Sequence, residues 1–455
     1  MKKISLLVFL LILCTSFSSC MMAGQLLNGT ALTEYAIVYS DEDLDYSLRA
    51  AEYIQAQIKD RTGIQLPIQE DSSVTAKYEI VVGQTEREVS QLLDEDTQGT
   101  DFALLAHGNQ IGLEGDYFVI AAAAHYFIET YIPGQVFQTA VPTTATVCQP
   151  IVKDPNNFIL LIGDGMGPNQ TKLFEEMDSK NVEYSDGESL FYGYLFPYSG
   201  FSRTDNAFGT VTDSAAGGTA LSTGYKTRNG YVGKDKTGVD IPSLTEMALL
   251  QGKSTAVMST ETPTGATPAS FSAHTTSREN RTGIAAGQAV LAQKGCVIRC
   301  EYNVYDSEGI ENNVEKAVTE TLEQVSANEK GFFLMYEEAH IDKHSHNRDK
   351  TNTFRAVTRF NQAIGRFMEF AFYHPDTMVI ITADHETGKL LPNNSGGYSY
   401  NSGDHSGADV PVFAYGKGAD CFDGKTYENA QIAKTIAKFW GLDTFGDPTG
   451  QPALF

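Results

Sequence analysis

Five apolar segments between residues 157 and 416 constrain the fold of this chain most strongly. Each is a run of apolar and β-branched residues that leads into a polar or glycine-rich stretch, and in order they are NFILLIGDG, KSTAVMST, GFFLMYEEA, TMVIITADH and PVFAYG. Helical patterns such as SLTEMALLQG and TFRAVTRFNQAIGRFMEFAFY lie between them. Apolar strands that alternate with helices predict a three-layer α/β domain, in which helices cover both faces of a mostly parallel central sheet.

Acidic or histidine residues stand at the ends of three of these strands. Asp164 follows the first, Glu337 ends the third, and Asp384 and His385 follow the fourth. Ligands of such sheets bind at the carboxyl ends of the strands, so we expect these side chains to lie close together. Mixed Asp and His ligands suit zinc, and oxygen ligands suit magnesium. One Asp-His pair alone is more often a hydrogen-bonded loop, but several pairs on one sheet favour a metal centre.

Two further segments carry histidine beside a carboxylate. Asp342 and His346 are four residues apart, which is one turn if this segment is helical. His405 lies at the centre of the glycine-flanked turn GDHSG. Both segments add candidate ligands to the same centre.

Ser214 lies in the segment TDSAAGGTA, where small residues follow the serine. A helix that begins here would direct free N–H groups and the positive end of its dipole towards an alkoxide or a phosphate ester. A serine that merely caps a helix of small residues is the simpler interpretation of this segment taken alone.

Taken together, the motifs resemble those of the alkaline phosphatase family. The resemblance runs from about Asn157 to near Leu442 and rests on six segments in the family's order: FILLIGDGMG, TDSAAGGTALSTG, STETPTGATPASFSAHTTSREN, FFLMYEEAHIDKHSH, ITADHETG and GDHSG. It implies a three-layer alkaline phosphatase-like domain that hydrolyses phosphate monoesters through a phosphoserine, with two zinc ions and one magnesium ion.

The resemblance also implies roles for individual residues. Ser214 would be the nucleophile, and Arg278 would bind the phosphoryl group with two of its N–H groups. Of two adjacent glutamates, Glu337 has the spacing of the motif, and we expect Glu338 to be structural or solvated. The implied metal ligands are Asp342, His346 and His405 for one zinc, Asp164, Asp384 and His385 for the second, and Asp164, Thr267 and Glu337 for magnesium.

One position departs from the family pattern. The family often has an acidic or imidazole side chain two residues before the magnesium-ligand threonine, and this chain has Gly265 there. Such a side chain helps to order the water shell of magnesium, so we expect the third metal to be weakly held. Lys343 matches a lysine that lies near the phosphate in part of the family. Without an acidic neighbour at position 265, we expect it to bind substrate more freely.

The net charge of the chain restricts the classes of molecule that it is expected to bind. Its 455 residues include 33 Lys and Arg against 57 Asp and Glu, a net charge of -24. This charge disfavours nucleic acid and anionic membrane surfaces as partners. The expected partners, small-molecule phosphomonoesters, are those that the family resemblance implies. Because these substrates are also anions, the metals and Arg278 would have to concentrate positive charge where phosphate binds.

The region before residue 157 lies outside the resemblance. Residues 25–134 predict a small α/β accessory domain, in which the strand patterns YAIVYS, YEIVVG, DFALLA and QIGLEG accompany two helical patterns, the first ending near Gly63. Residues 135–156 are rich in Thr, Val and Pro without helical periodicity, which predicts a linker. The catalytic domain is then expected over residues 157–455.

Residues 1–20 predict a signal of the lipoprotein type. Two lysines precede an apolar run of ten residues, and two serines stand before Cys20. We expect export, a lipid on Cys20 and attachment to a bacterial membrane, in the periplasm or at the cell surface; ordinary signal cleavage a few residues further on is the alternative. Cys296 and Cys300 are close enough in sequence to pair, but their spacing does not decide whether they do.

Two other functions stay open. A phosphodiesterase of the same superfamily would share most of the site, although related diesterases generally lack the third metal site that Thr267 and Glu337 imply. An inactive surface-binding lipoprotein is the alternative from another class, and the complete set of implied site residues argues against it. Family analogy also favours a homodimer.

Overall fold

The computed structural model describes residues 24–41, 45–93, 97–178, 190–300 and 312–447. The predicted signal segment 1–20, with Cys20, lies outside the described residues. The chain divides into two compact units, Met1–Ile151 and Val152–Phe455. Among the described helices, none combines the length and the apolar character that crossing a bilayer requires.

The first unit contains a six-stranded sheet of order β4-β3-β5-β7-β6-β9 and a three-stranded sheet of order β2-β1-β8. Strands β3, β4, β5 and β7 are parallel, and β6 runs antiparallel to β7 and β9. The strands are β1 Gln25–Leu27, β2 Thr30–Ala31, β3 Tyr35–Tyr39, β4 Ile68–Glu70, β5 Tyr78–Val82, β6 Phe102–His107, β7 Gln110–Glu114, β8 Phe137–Thr139 and β9 Thr146–Cys148. The helices are α1 Tyr46–Thr62, α2 Glu88–Gln91 and α3 Ile120–Tyr131, with 3-10 turns at Leu32–Glu34 and Tyr117–Val119.

Helix α1 shows how local sequence sets an element of this unit. Its buried residues include Ala50, Ala51, Ile54 and Ile58, spaced at three and four residues. The helix ends before Gly63, which has φ 77° and donates its N–H to the carbonyl of Lys59. Glycine adopts this left-handed conformation without a steric penalty, so the helix stops where the sequence predicts.

The segment 135–156 differs from the expected linker. Strand β8 pairs in parallel with β1, and β9 pairs antiparallel with the edge strand β6. Phe137 at the start of β8 is buried. Three-residue strands are too short for a period-2 pattern to stand out among Thr and Pro, and they form here because the sheets offer unpaired backbone groups at their edges.

The second unit is built on an eight-stranded sheet of order β13-β12-β14-β10-β15-β20-β11-β21. The five strands from β13 to β15 are parallel, whereas β20 runs antiparallel to β15 and β11. The strands are β10 Asn157–Gly163, β11 Tyr198–Arg203, β12 Ser254–Ser259, β13 Cys296–Cys300, β14 Phe332–Glu338, β15 Thr377–Thr382, β16 Glu386–Thr387, β17 Leu390–Pro392, β18 Tyr398–Tyr400, β19 His405–Ser406, β20 Val410–Tyr415 and β21 Thr426–Glu428. The helices are α4 Pro168–Asp178, α5 Ser214–Thr223, α6 Leu244–Leu250, α7 Ala266–Ser270, α8 Arg281–Gln293, α9 Asn312–Ser326, α10 His340–His346, α11 Lys350–Tyr373 and α12 Ala430–Phe439, with 3-10 turns at Tyr192–Leu195 and Ala419–Phe422.

Helices cover both faces of this sheet, so the α/β three-layer prediction is confirmed. On one face, Leu160 and Met335 belong to a buried cluster that includes residues of α6 and α12. On the other, Tyr336 stacks on Phe360 of α11, with ring centroids 6.2 Å apart. Met335 and Tyr336, which are adjacent on β14, therefore pack against helices on opposite faces of the sheet, as the alternation of side chains along a strand requires.

Cys296 and Cys300 do not form a disulfide. Both lie on β13, at its first and last residues. Four residues of extended strand span about 13 Å, whereas bridged cysteines need Cα atoms within about 7 Å. The strand conformation itself keeps the two thiols apart.

Candidate active site

Two parallel strands deliver the first group of side chains to one edge of the sheet. Asp164 follows β10, and Asp384 and His385 follow the neighbouring β15. All three are buried, and their ligand atoms lie within 4.8 Å of one another. The His385 Nε2 atom lies 3.2 Å from Asp384 Oδ2 and 3.5 Å from Asp164 Oδ1.

A second group forms from Asp342, His346 and His405, whose ligand atoms also lie within 4.8 Å of one another. Helix α10 places Asp342 and His346 one turn apart, with 3.3 Å between Asp342 Oδ1 and His346 Nε2. His405 Nε2 lies 3.6 Å from the same oxygen. The four-residue spacing of Asp342 and His346 in the sequence thus places both side chains on one face of the helix.

Backbone carbonyls orient both imidazoles of the second group. His346 Nδ1 donates to the carbonyl of Gly403 at 2.6 Å, and His405 Nδ1 donates to that of Thr212 at 2.9 Å. Neutral imidazoles held this way present the lone pairs of their Nε2 atoms, which lie 3.1 Å apart. Once His346 has given up the Nε2 proton that it donates to Asp342 in the metal-free protein, two lone pairs and a carboxylate converge as a donor set for a cation.

Thr387 connects the two groups, and the motif analysis did not single it out. Its hydroxyl donates to Asp342 Oδ1 and lies 3.2 Å from His385 Nδ1. Because the hydroxyl proton is used on Asp342, the Thr387 oxygen accepts from His385 Nδ1–H. The Nε2 atom of His385 is then the lone-pair nitrogen that faces the centre. The position of Thr387 in ITADHETG, two residues after His385, is the only local signal for it.

Buried carboxylate oxygens are the strongest indication that cations belong here. Among the described residues, Asp164 Oδ1, Glu337 Oε1 and Asp384 Oδ2 have no hydrogen-bond donor. Burial, together with neighbouring carboxylates, raises the pKa of Asp164 and of Glu337 well above the ordinary range and raises the pKa of Asp384 to about 6. Ionised carboxylates at such positions require nearby positive charge. The donor set therefore fits bound metal cations.

Burial and neighbouring carboxylates shift the pKa values of two histidines in opposite directions. Burial lowers the pKa of His385 to about 4. The hydrogen bond to Asp342 raises the pKa of His346 to about 9. Burial alone would raise the pKa of Asp342, but the hydrogen bond from His346, with the other neighbours, lowers it.

Ser214 is the first residue of α5 and does not cap the helix. Asp213 is the N-cap, and its carboxylate accepts from the N–H of Ala216 at 3.0 Å. The Ser214 hydroxyl instead lies 3.2 Å from His385 Nε2. The interpretation of Ser214 as a capping serine is therefore wrong, because the residue before it takes that role.

Small residues allow α5 to approach the metal-binding edge. A Cβ atom on Gly217 would lie 2.8 Å from the carbonyl oxygen of Asp384, and one on Gly218 would lie 3.1 Å from Ser270 Oγ. These distances are too short for a larger residue without a shift. The glycine pair thus lets Ser214 reach the group formed by Asp164, Asp384 and His385.

Arg278 is aligned by Asp213, which the motif analysis also missed. Its Nη1 lies 3.3 Å from Asp213 Oδ2, which also accepts the N–H of Gly230 at 3.0 Å. The Arg278 side chain is 35% exposed, so solvent and small ligands reach it. Asp is a preferred N-cap residue, which is the local signal that could have identified Asp213.

The two adjacent glutamates of β14 have different environments. Glu337 accepts from the Ser259 hydroxyl through Oε2 and faces the buried Thr267. Glu338 lies 3.0 Å from Arg359 Nη2. Burial opposes ionisation of Glu338, but the Arg359 charge and His340 lower its pKa to about 2. Glu338 is thus a buried structural partner of Arg359.

Lys343 differs from the expectation that it is free to reach a phosphate. Its Nζ lies 2.9 Å from Glu261 Oε2. An acidic neighbour is therefore present, although position 265 does not supply it. Burial would lower the pKa of Lys343, but Glu261 raises it.

The chain is similar in sequence to known alkaline phosphatases. The family model described as alkaline phosphatase matches residues 155–306 and 298–400. Alkaline phosphatase 4 of Bacillus subtilis is 27% identical over 342 residues, which span 63% of this chain and 72% of that protein. The alkaline phosphatase of Escherichia coli is 25% identical over 391 residues, which span 58% and 82%.

Solved structures show the same relationship. The alkaline phosphatase of the Antarctic bacterium TAB5 is 28% identical, with a TM-score of 0.56, and the match covers 64% of this chain and 99% of that one. A structure of a variant of that enzyme has Mg bound in its M3 site. The alkaline phosphatase of Thermus thermophilus is 17% identical with a TM-score of 0.56, which shows the shared fold, over 65% of this chain and 93% of that one. The family model matches more than half of the chain, and the chain therefore belongs to the alkaline phosphatase family.

Proposed function

We propose that this protein hydrolyses phosphate monoesters and that Ser214 is phosphorylated during each turnover. Family membership establishes a metal-dependent phosphatase. The observation that carries the finer proposal is the position of Ser214 Oγ, 3.2 Å from His385 Nε2 and at the start of α5. A hydroxyl at this point adjoins both the candidate metal ligands and the helix N–H groups.

The proposed metals follow from the two donor groups. Zinc suits Asp342, His346 and His405, and a second zinc suits Asp164, Asp384 and His385. Magnesium suits the oxygens of Asp164, Thr267 and Glu337. When bound, the metals would lower the pKa of the serine hydroxyl and stabilise negative charge on the attacking and leaving oxygens.

Residues of the chain itself would carry out the phosphoryl transfer and bind the phosphoryl group. Ser214 Oγ forms a bond to phosphorus as the ester P–O bond breaks and the alcohol leaves. Water then cleaves the Oγ–P bond and releases inorganic phosphate. Arg278, held by Asp213, offers parallel N–H groups to two phosphoryl oxygens, and the N-terminus of α5 adds backbone donors. Such positioning and charge stabilisation account for most of the catalysis of phosphoryl transfer.

The test compares a chromogenic aryl phosphate monoester with the matching diester at alkaline pH. Wild type, Ser214→Ala and Ser222→Ala would be assayed with their zinc content measured in parallel. Ser222 is a matched control, because it is a buried serine of α5 whose hydroxyl, among the described residues, bonds only to the carbonyl of Thr219 in the same helix. We expect fast monoester turnover that is lost only in Ser214→Ala with zinc retained.

Faster turnover of the diester would instead support the phosphodiesterase function. A zinc-loaded wild type without activity towards either ester would support the binding-protein function. The buried Thr267 and Glu337 favour the monoesterase, because they would supply the third metal position that related diesterases generally lack.

Export and assembly stay predictions. We propose a lipid on Cys20, which mass spectrometry of the mature N-terminus would detect. An unmodified terminus beyond Cys20 would overturn that proposal. Light scattering of the purified protein would test the homodimer.

A further inference from the structure

Gly265 is not required by the conformation of the backbone. Its φ is -58° and its ψ is 157°, values that any residue adopts. The restriction is one of space, because a Cβ atom at this position would lie 1.8 Å from Glu261 Oε1 and 2.1 Å from Glu261 Cδ. The side chain of Glu261 therefore fills the volume in which a side chain of residue 265 would begin.

The surroundings of Glu261 connect it to the third metal position, defined by Asp164, Thr267 and Glu337. Glu261 follows β12 by two residues, and its N–H donates to Ser259 Oγ at 3.0 Å. The Ser259 hydroxyl donates to Glu337 Oε2. One short segment thus fixes both Glu261 and the carboxylate of Glu337.

Two independent features indicate that a cation belongs at this place. Glu337 is fully buried, and its Oε1 has no donor among the described residues. Glu261 is 17% exposed and adds a further carboxylate to this group, because its N–H is bonded to Ser259, whose hydroxyl donates to Glu337. Of the two nearby cations, Lys343 is paired with Glu261 at 2.9 Å and Arg278 with Asp213 at 3.3 Å, so neither forms an ion pair with Asp164 or Glu337.

We propose that Glu261 supplies, from four residues upstream, the carboxylate that position 265 lacks, and that it orders the magnesium shell and holds Lys343. This inference rests on the proposed function, because it assumes magnesium at the third position. It reverses the expectation of a weak third site. The glycine at position 265 and the glutamate at position 261 form a matched pair, in which the glycine makes room for the glutamate.

The experiment measures Mg²⁺ binding to zinc-loaded protein by titration calorimetry and by the Mg²⁺-dependent shift in thermal midpoint. Glu261→Ala should weaken Mg²⁺ binding by about tenfold or more, the scale for loss of an outer-shell partner of a metal site. The double variant Glu261→Ala/Gly265→Asp should recover most of the affinity, since it moves the carboxylate into the vacated volume. Glu323→Ala, at an exposed glutamate of α9, removes the same charge elsewhere and should bind Mg²⁺ as wild type does.

Two outcomes would overturn the proposal. One is unchanged Mg²⁺ affinity in Glu261→Ala. The other is a loss of Mg²⁺ affinity in Glu261→Ala that the double variant does not recover, although the double variant without Mg²⁺ has the thermal midpoint of wild type. In that case Glu261 would act only as a partner of Lys343. Glu261→Gln keeps the side-chain volume and separates loss of charge from loss of packing. The Mg²⁺ affinity is measured without any enzyme turnover. Tight Mg²⁺ binding by a protein without phosphatase activity would therefore contradict the proposed function but not this inference.

Discussion

Both units of this protein contain buried ion pairs, but the second also has a cluster of buried carboxylates at the edge of its sheet. In the first unit, Arg87 lies 2.9 Å from Asp71 and 3.1 Å from Glu79, and all three are buried. Glu79 also accepts from Gln110 at 2.8 Å. In the second unit, three buried carboxylates at the sheet edge, those of Asp164, Glu337 and Asp384, keep an oxygen without a donor among the described residues.

This contrast separates structural charges from functional ones. A buried ion pair with all its hydrogen bonds made holds loops and strands in place and needs nothing from solution. Buried carboxylates without a partner favour the folded chain only when a cation binds. The same contrast occurs within β14, where Glu338 pairs with the charged Arg359, whereas Glu337 accepts only from the neutral hydroxyl of Ser259 and its Oε1 has no donor among the described residues.

The largest expected effect is that of removing metal. Chelation should abolish activity and destabilise the second unit by about 4 kcal/mol, the scale for a ligand present at a thousand times its dissociation constant. Hydrogen exchange should quicken at the ends of β10, β14 and β15 and stay unchanged in β3 and β5. An equal loss of hydrogen-exchange protection in both units would contradict the proposed difference between them.

Breaking the paired charges of the first unit should have the next largest effect. Arg87→Ala leaves Asp71 and Glu79 buried without their partner, which should lower the free energy of unfolding by about 3 kcal/mol. The metal content and the activity per folded molecule should not change. Denaturant unfolding checks this, with the exposed Lys59→Ala as control.

The adjacent glutamates of β14 offer a sharper test within one strand. Glu338→Gln should destabilise the protein by about 2 kcal/mol with or without metal, because Arg359 loses a charged partner. Glu337→Gln should stabilise the metal-free protein, since burial and Glu261 already disfavour its ionised form, and it should weaken Mg²⁺ binding. Similar effects of both variants on metal-free stability would remove the distinction that we draw.

The smallest expected effect is a pH dependence of the metal-free protein. The pKa of His346 is raised from 6.5 to about 9 by Asp342, so its protonated form contributes stability that is complete below pH 6.5 and lost as pH rises through 9. The thermal midpoint of chelated protein should therefore fall between pH 7 and 9, and His346→Gln should flatten that slope. Metal-loaded protein should not show this fall, because a bound cation holds the imidazole neutral. A slope that His346→Gln leaves unchanged would assign the effect to other groups.

Much of the site was predictable because it depends on local pattern and on one property of parallel sheets. Apolar runs specify β10, β14 and β15, and the carboxyl ends of parallel strands meet at one edge, so Asp164, Glu337 and Asp384 had to lie near one another. The four-residue spacing of Asp342 and His346 specifies a shared helix face in the same way.

The accessory region shows where local pattern becomes insufficient. Its longer strands and helices follow from periodicity, but β8 and β9 form only because the edges of existing sheets accept them. A three-residue segment carries too little pattern to distinguish a strand from a turn.

The sequence by itself thus determined the layered α/β fold, the family and the candidate ligands, since these depend on periodicity and on motifs of adjacent residues. Only the tertiary structure decided that Asp213 aligns Arg278, that Arg359 neutralises Glu338, and that Glu261 pairs with Lys343. The physical reason is that each of these contacts joins side chains far apart in sequence, 82 residues for Glu261 and Lys343. Packing of the intervening elements sets such distances, and no local pattern encodes them.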